Sequence, residues 1–229
     1  MQAGSQDVNR HWSVQIRCMD AFWLKCIAIL SMALDHTGAV LFPAEVWMRC
    51  AGRLAFPIFC FLIVEGFFHT HDVYKYMIRL GAFALLSEIP FDLAFQGVFL
   101  ESGHQNVFFT LLIGIGMMLL LSRNQEWPVK AVILLLAMWL AVTIRSDYNF
   151  RGILLIFFFY IFRESRTLAV AAGGCWNFLY QGMIQKFGIL SMIPIALYNG
   201  KRGRSMKYFF YVFYPAHLLI LYGISQMAG

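Results

Sequence analysis

The chain has 229 residues, of which 60% are hydrophobic and only 13% charged, with a formal charge of +6. A soluble domain carries about 25% charged residues, so the polar surface is too small to cover a water-soluble globule and lipid is the expected solvent. The surplus Lys and Arg sit in short segments between apolar runs, where they set membrane topology, which argues against nucleic acid as the partner.

In lipid, backbone groups must pair within the segment or within a closed barrel. The long apolar runs point to helices, since barrel strands are short and alternating. Residues 1–20 are polar. The run at 21–42 is too long for the apolar part of a secretion signal and lacks an Ala-x-Ala site, so it is expected to remain as the first membrane helix. A crossing takes about 20 apolar residues. Candidate spans then follow at 54–70, 76–96, 106–121, 128–144, 147–162, 165–182, 186–199 and 208–226. The eighth is short for a crossing, and the fifth and sixth form a tight hairpin. The fold class is therefore an all-α polytopic transmembrane bundle of about nine spans, eight to ten being the range that the run lengths allow. A polar segment at 1–20 precedes one membrane domain over 21–229. With the N-terminus in the cytoplasm, most Lys and Arg lie inside, from Arg10 and Arg17 to Lys207. Arg49, Arg53, Arg145, Arg151 and Lys186 lie outside. That bias favours this orientation; the expected location is the cell's inner membrane. Cys18, Cys26, Cys50, Cys60 and Cys175 form no CxxC pair and no zinc spacing, and read as small apolar helix residues.

Ionisable groups in the hydrocarbon core cost about 2.5–3.5 kcal/mol each. Asp35, Glu65 and Glu88 lie inside predicted spans, so each must be protonated, paired or hydrated. Either they form structural pairs, Glu88 with an Arg on another helix for instance, or they line a polar cavity. Asp35 and His36 are adjacent, about 100° apart on a helix, and need not touch each other. Imidazole is the natural general base at neutral pH. Arg53 begins the second span, with Pro57 in its first turn; it either snorkels to the headgroups or reaches Asp35, Glu88 or Asp92. Glu88 and Asp92 share a helix face, and Pro90 between them bends that helix. Asn106 and Thr110 form another polar face. Asp147 and Arg151, also four apart, suit a local ion pair. His217 is a second imidazole at mid-span, in the last helix. His69 and His71, two apart, point to different faces and make a poor metal site. Gly114 and Gly116 suit helix packing. The segment Asn199-Gly200-Lys201-Arg202-Gly203-Arg204 reads either as a topology signal or as a seat for a phosphorylated cytoplasmic ligand.

Several motifs resemble the TraX family, named for the conjugative-plasmid protein that acetylates the N-terminus of F pilin. They are Leu34-Asp35-His36, Gly52-Arg53-x-Ala55-Phe56-Pro57-x-Phe59 and Tyr214-x-x-His217-Leu218. Val64-Glu65-Gly66, Ser87-Glu88-Ile89-Pro90-Phe91-Asp92, Asn106-Val107-Phe108-Phe109-Thr110 and Tyr198-Asn199-Gly200-Lys201-Arg202-Gly203 resemble its chromosomal branch. The likeness spans residues 20–229. It implies a membrane acetyltransferase with acetyl-CoA as donor substrate, no metal, and an amine or hydroxyl acceptor on a peptide or small molecule. In that scheme His36 takes the acceptor's proton, or is itself acylated. Asp35 or a neighbouring carboxylate such as Glu88 stabilises the imidazolium, and Arg53 or His217 stabilises the oxyanion. Lys201, Arg202 and Arg204, with Asn199 and Glu65, seat the donor. Membrane lipids are the remaining partners, and the oligomeric state stays open.

Two other classes compete. A small proton-coupled transporter would use the same carboxylates as a relay; the chain shows no internal repeat of the kind many transporters carry. A structural membrane subunit would have no use for Asp35, His36 and His217 at similar depth.

Overall fold

The computed structural model describes residues 17–179, 182–205 and 207–228. Most of the expected polar N-terminal segment, Arg10 included, lies outside them. The described residues form helices joined by short connections, with no strand among them and only isolated bridges at Met19–Tyr198 and Gln105–Ser146. In chain order the helices are α1 Ala21–Val40, α2 Val46–Gly52, α3 Ala55–His69, α4 Val73–Gln96, α5 Val107–Arg123, α6 Trp127–Thr143, α7 Asn149–Ile161 and α8 Arg166–Leu179. A 3-10 turn at Gln185–Ser191 then runs into α9 Met192–Ala196, and α10 Lys207–Ala228 closes the fold.

The boundaries have local causes. The Asp20 carboxylate accepts the Phe22 and Trp23 N–H groups at 2.9 and 3.1 Å, satisfying donors that a helix start leaves open. Asp72 does the same for Lys75 N–H at 2.9 Å, and this bond, together with the nearby Lys75 ammonium, holds its carboxyl below the ordinary range. Asn106 caps α5 through Phe108 N–H at 3.0 Å. Gly97 ends α4 in the left-handed conformation, φ 70°, which costs glycine nothing.

The predicted spans and the observed helices coincide closely, with two differences. The eighth run is split between a 3-10 turn and the single α-turn of α9, consistent with its short length. A helix absent from the sequence reading, α2, lies before α3. The stretch Val46–His69 is long and apolar enough to cross a membrane by length and composition, and α5, α6 and α7 are shorter apolar helices.

α1 packs on α2 and α3, and α10 packs on both α4 and α1, so the last helix returns beside the first. α5 lies against α4, α6 and α7, while α8 sides with the 3-10 turn and α9. The distribution of polarity is the reverse of a soluble domain. Leu30, Ile78, Leu85, Trp139 and Ile220 are between 62% and 70% exposed, while Asp35, Glu88, Asn106 and His217 are buried.

Candidate functional site

At one end of the bundle, α1, α2 and the start of α3 converge on Asp35. Arg53 Nη2 forms an ion pair and hydrogen bond with Asp35 Oδ2. Its Nη1 donates to Gln185 Oε1 at 3.1 Å, and its Nε to the Arg49 carbonyl at 3.4 Å. Arg49 Nη1 lies 3.5 Å from Asp35 Oδ1 and donates to the Asp35 carbonyl at 3.2 Å. Glycine makes this convergence sterically possible. A Cβ on Gly52 would fall on the Asp35 side chain, and one on Gly38 would come within 2.8 Å of Met48 Cβ. The buried carboxylate is thereby paired, which is the condition for tolerating its charge away from water.

His36, on the next position of α1, turns to α10. Its Nδ1 lies 2.7 Å from Nε2 of His217, the two rings nearly parallel at 6°. His217 Nδ1 lies 2.8 Å from the Phe213 carbonyl. A carbonyl only accepts, so His217 Nδ1 carries hydrogen. In a neutral ring its Nε2 is then an acceptor, and His36 Nδ1 must donate to it. By the same logic Nε2 of neutral His36 holds a lone pair. Phe95 and Tyr214 meet the His36 ring edge-on at 5.2 and 5.9 Å and hold it in place.

Both motifs border a cavity of about 300 Å³ whose wall includes Asp35, His36, Arg53, His104, Asp147 and Tyr148. The tight α6–α7 turn supplies the last two. Arg145 there adopts φ 55°, rare for a residue with a side chain, and its carbonyl accepts Gln105 N–H at 3.0 Å. This strap brings His104 to 3.5 Å from Asp147.

Glu88 lies off this wall. Asn106 Nδ2 donates to its carboxylate and to the Ala84 carbonyl at 2.8 Å, so Glu88 ties α4 to the start of α5. Its partner is an amide and not the arginine envisaged from the sequence. Asp92 Oδ2 accepts Glu101 N–H at 2.8 Å. One oxygen of each carboxylate, Glu88 Oε1 and Asp92 Oδ1, is buried without a hydrogen-bond partner.

A second, larger cavity of about 570 Å³ opens at the opposite end, with Lys25, Glu65, Arg79, Tyr198, Arg202 and Tyr211 on its wall. The segment after α9 is laced to the start of α1: Met19 N–H donates to Leu197 O at 3.1 Å, Asn199 N–H to Met19 O at 2.8 Å and Ala21 N–H to Lys201 O at 2.9 Å. Gly203 has φ +64°, and any Cβ there would meet the Asp20 carboxylate. Of the expected donor seat, Arg202 and Glu65 therefore line the cavity. Asn199 shapes the loop, its Oδ1 accepting Lys201 N–H at 2.9 Å. Lys201 and Arg204 are exposed and stand outside the lining. Arg79 Nε is buried and makes no hydrogen bond.

The structure thus unites His36 with His217, and Asp35 with Arg53, in one site. It adds residues that sequence reasoning missed or took only as topology charges: Arg49, His104, Tyr148 and Gln185 at this end, Lys25 and Arg79 at the other. Lys25 carried a legible signal, a cation inside the first apolar run.

A probable fimbrial assembly protein of Dichelobacter nodosus, FimC of serogroup H1, is 31% identical over 88% of this chain and 93% of its own length. An Escherichia coli protein named TraX is 26% identical over 86% of this chain and 84% of its own, and the TraX of strain K12 is 29% identical over 58% and 52%. No solved structure matches. The TraX protein family model matches residues 21–225, and the chain belongs to the TraX family.

Proposed function

We propose that this protein is a multi-pass inner-membrane acetyltransferase that moves an acetyl group from cytoplasmic acetyl-CoA to a primary amine, such as a peptide N-terminus, or a hydroxyl. The observation that carries this reading is the imidazole pair. The Phe213 carbonyl sets the tautomer of His217, which sets that of His36, and leaves a lone pair on Nε2 of His36, a residue on the wall of a small cavity. The greasy exterior and the buried ionisable interior support a lipid environment.

The larger cavity suits the donor. Lys25, Arg79 and Arg202 line it, and their positive charges suit an anion such as phosphate. The acceptor enters from the other end. Its lone pair attacks the thioester carbonyl while its proton passes to His36 Nε2. The tetrahedral intermediate collapses with cleavage of the C–S bond. The proton on His36 then goes to the leaving sulfur, giving acetylated acceptor and free CoA thiol. While His36 is protonated, His217 Nε2 continues to accept its Nδ1–H and shares the charge, the task first assigned to Asp35. Asp35 instead fixes Arg53. Three of the five Arg53 N–H groups are engaged; the others remain for the oxyanion.

The name of the Dichelobacter relative speaks of fimbrial assembly, which suits a pilin-like acceptor here. The test uses the purified protein in lipid nanodiscs with labelled acetyl-CoA and an amine-bearing peptide. His36→Ala is expected to lower transfer by about 100-fold or more without loss of donor binding; full retained transfer removes His36 from the mechanism.

Cavities at opposite ends also favour a second reading, a small proton-coupled transporter. A transporter is stabilised by its solute, and the acetyltransferase by acetyl-CoA.

A further inference from the structure

The two cavities are built on one stripe of α3. Phe56 lines the smaller, Leu62, Ile63 and Gly66 line the larger, and Phe59 is the one described residue on the walls of both. Its neighbours Ile58 and Cys60 are fully buried, whereas Phe59 is only half-buried because it has open space on two sides. A second aromatic pair spans the same boundary: Phe108, on the larger cavity, meets Tyr214, on the smaller, edge-to-face at 4.9 Å and 74°. The reactive imidazole belongs to one side of this septum and the cation-lined chamber to the other.

We propose that Phe59 is the gate between donor and acceptor chambers and sets the acyl length that the protein transfers. The proposal rests on the acyl-transfer reading above. Reaction requires the thioester carbonyl to come within about 3–3.5 Å of the attacking atom. The acyl group must therefore pass the Phe59 ring, while the pantetheine arm stays in the larger chamber. Everything beyond the carbonyl carbon then lies between the Phe59 ring, the Phe108–Tyr214 contact and the acceptor, on the wall side of a cavity of about 300 Å³. Each added methylene at that boundary competes with the acceptor or pushes Phe59 and Tyr214 apart. The preferred donors are thus short acyl thioesters, acetyl first. The selectivity resides in a steric wall rather than in polar recognition of the acyl chain, for which the septum offers only apolar surface and the phenol edge of Tyr214.

Two variants of opposite sign test this, measured on the full chain in nanodiscs with acetyl-, propionyl- and butyryl-CoA and one peptide acceptor. One extra methylene in an apolar pocket shifts kcat/KM by about 10- to 200-fold. The wild type is therefore expected to favour acetyl over butyryl by about 100-fold, and Phe59→Ala to narrow that ratio at least tenfold. Phe59→Trp is expected to lower acetyl transfer by about tenfold or more while CoA still stabilises the protein, since Lys25, Arg79 and Arg202, the cations proposed to hold the donor, lie elsewhere on the wall of the larger cavity. An acyl-length ratio unchanged in both variants overturns the gate while leaving acyl transfer intact. A Phe59→Trp protein that loses CoA stabilisation together with transfer also overturns it, by showing a general packing role. A wild type that neither transfers acetyl nor is stabilised by acetyl-CoA removes the underlying reading, and the gate with it.

Discussion

The two ends of the bundle solve different problems. At the His36 end the arginine and the imidazoles are held by named partners: Arg53 binds Asp35, Gln185 and the Arg49 carbonyl, and His36 binds His217, which binds Phe213. At the Arg202 end the cavity is nearly twice as large, and its cations rest on aromatic faces, Lys25 over Phe210 at 5.4 Å and Arg79 over Tyr76 at 5.9 Å. A cation resting on a ring can leave it for an anion at small cost, whereas a paired carboxylate cannot leave its partner. Under the proposed acyl transfer, the first end is the one organised in advance, as chemistry requires, and the second is the more open, as donor binding requires.

Breaking the organised end should cost the most. Arg53→Ala leaves the buried Asp35 carboxylate with only the longer Arg49 contact at 3.5 Å, and removing one partner of a buried pair costs about 3–5 kcal/mol. Unfolding in a detergent–denaturant titration reads that loss. Asp35→Asn combined with Arg53→Gln removes both charges and should restore a large part of it. If the double variant is no more stable than Arg53→Ala, the pair is not what holds α1, α2 and α3 together. Next comes His217→Ala, which frees the His36 tautomer. The expected result is a fall in kcat of about 100-fold with KM for the donor unchanged; an equal rise in KM would place His217 in the donor site. Gly52→Ala forces a methyl group onto Asp35 and should destabilise by about 1–3 kcal/mol, visible in the same titration.

These contrasts also explain what was readable beforehand. The helices were, because most of the apolar runs are long; three of them also begin at side-chain caps, Asp20, Asp72 and Asn106, and one stops at Gly97. α2 was not, because seven residues give no resolvable period. The individual residues Asp35, His36, Arg53 and His217 stood out by their cost in an apolar setting. The Arg53–Asp35 pairing was one of the readings left open, but the His36–His217 pairing was not. His36 and His217 are 181 positions apart, and their contact depends on α10 lying beside α1, which no local signal encodes. Adjacency in sequence did not imply contact: the 100° step between Asp35 and His36 sends Asp35 to the arginines and His36 to α10.

The basic segment at Lys201–Arg204 gives the subtlest form of the comparison. From sequence, all of its cations were equal candidates for phosphate. In the structure Arg202 lines the larger cavity beside Arg79 and Lys25, while Lys201 points elsewhere, its backbone spent on Asn199 and Ala21. A hydrogen bond to a charged partner is worth about 1.5–3 kcal/mol. Arg79→Gln should therefore raise KM for acetyl-CoA by about tenfold with little change in kcat, since binding lost equally from ground and transition states appears in KM alone. Lys201→Gln should change KM by no more than about twofold, the size of a screened surface charge. The reverse order of effects would move the donor phosphates out of the cavity and onto the loop.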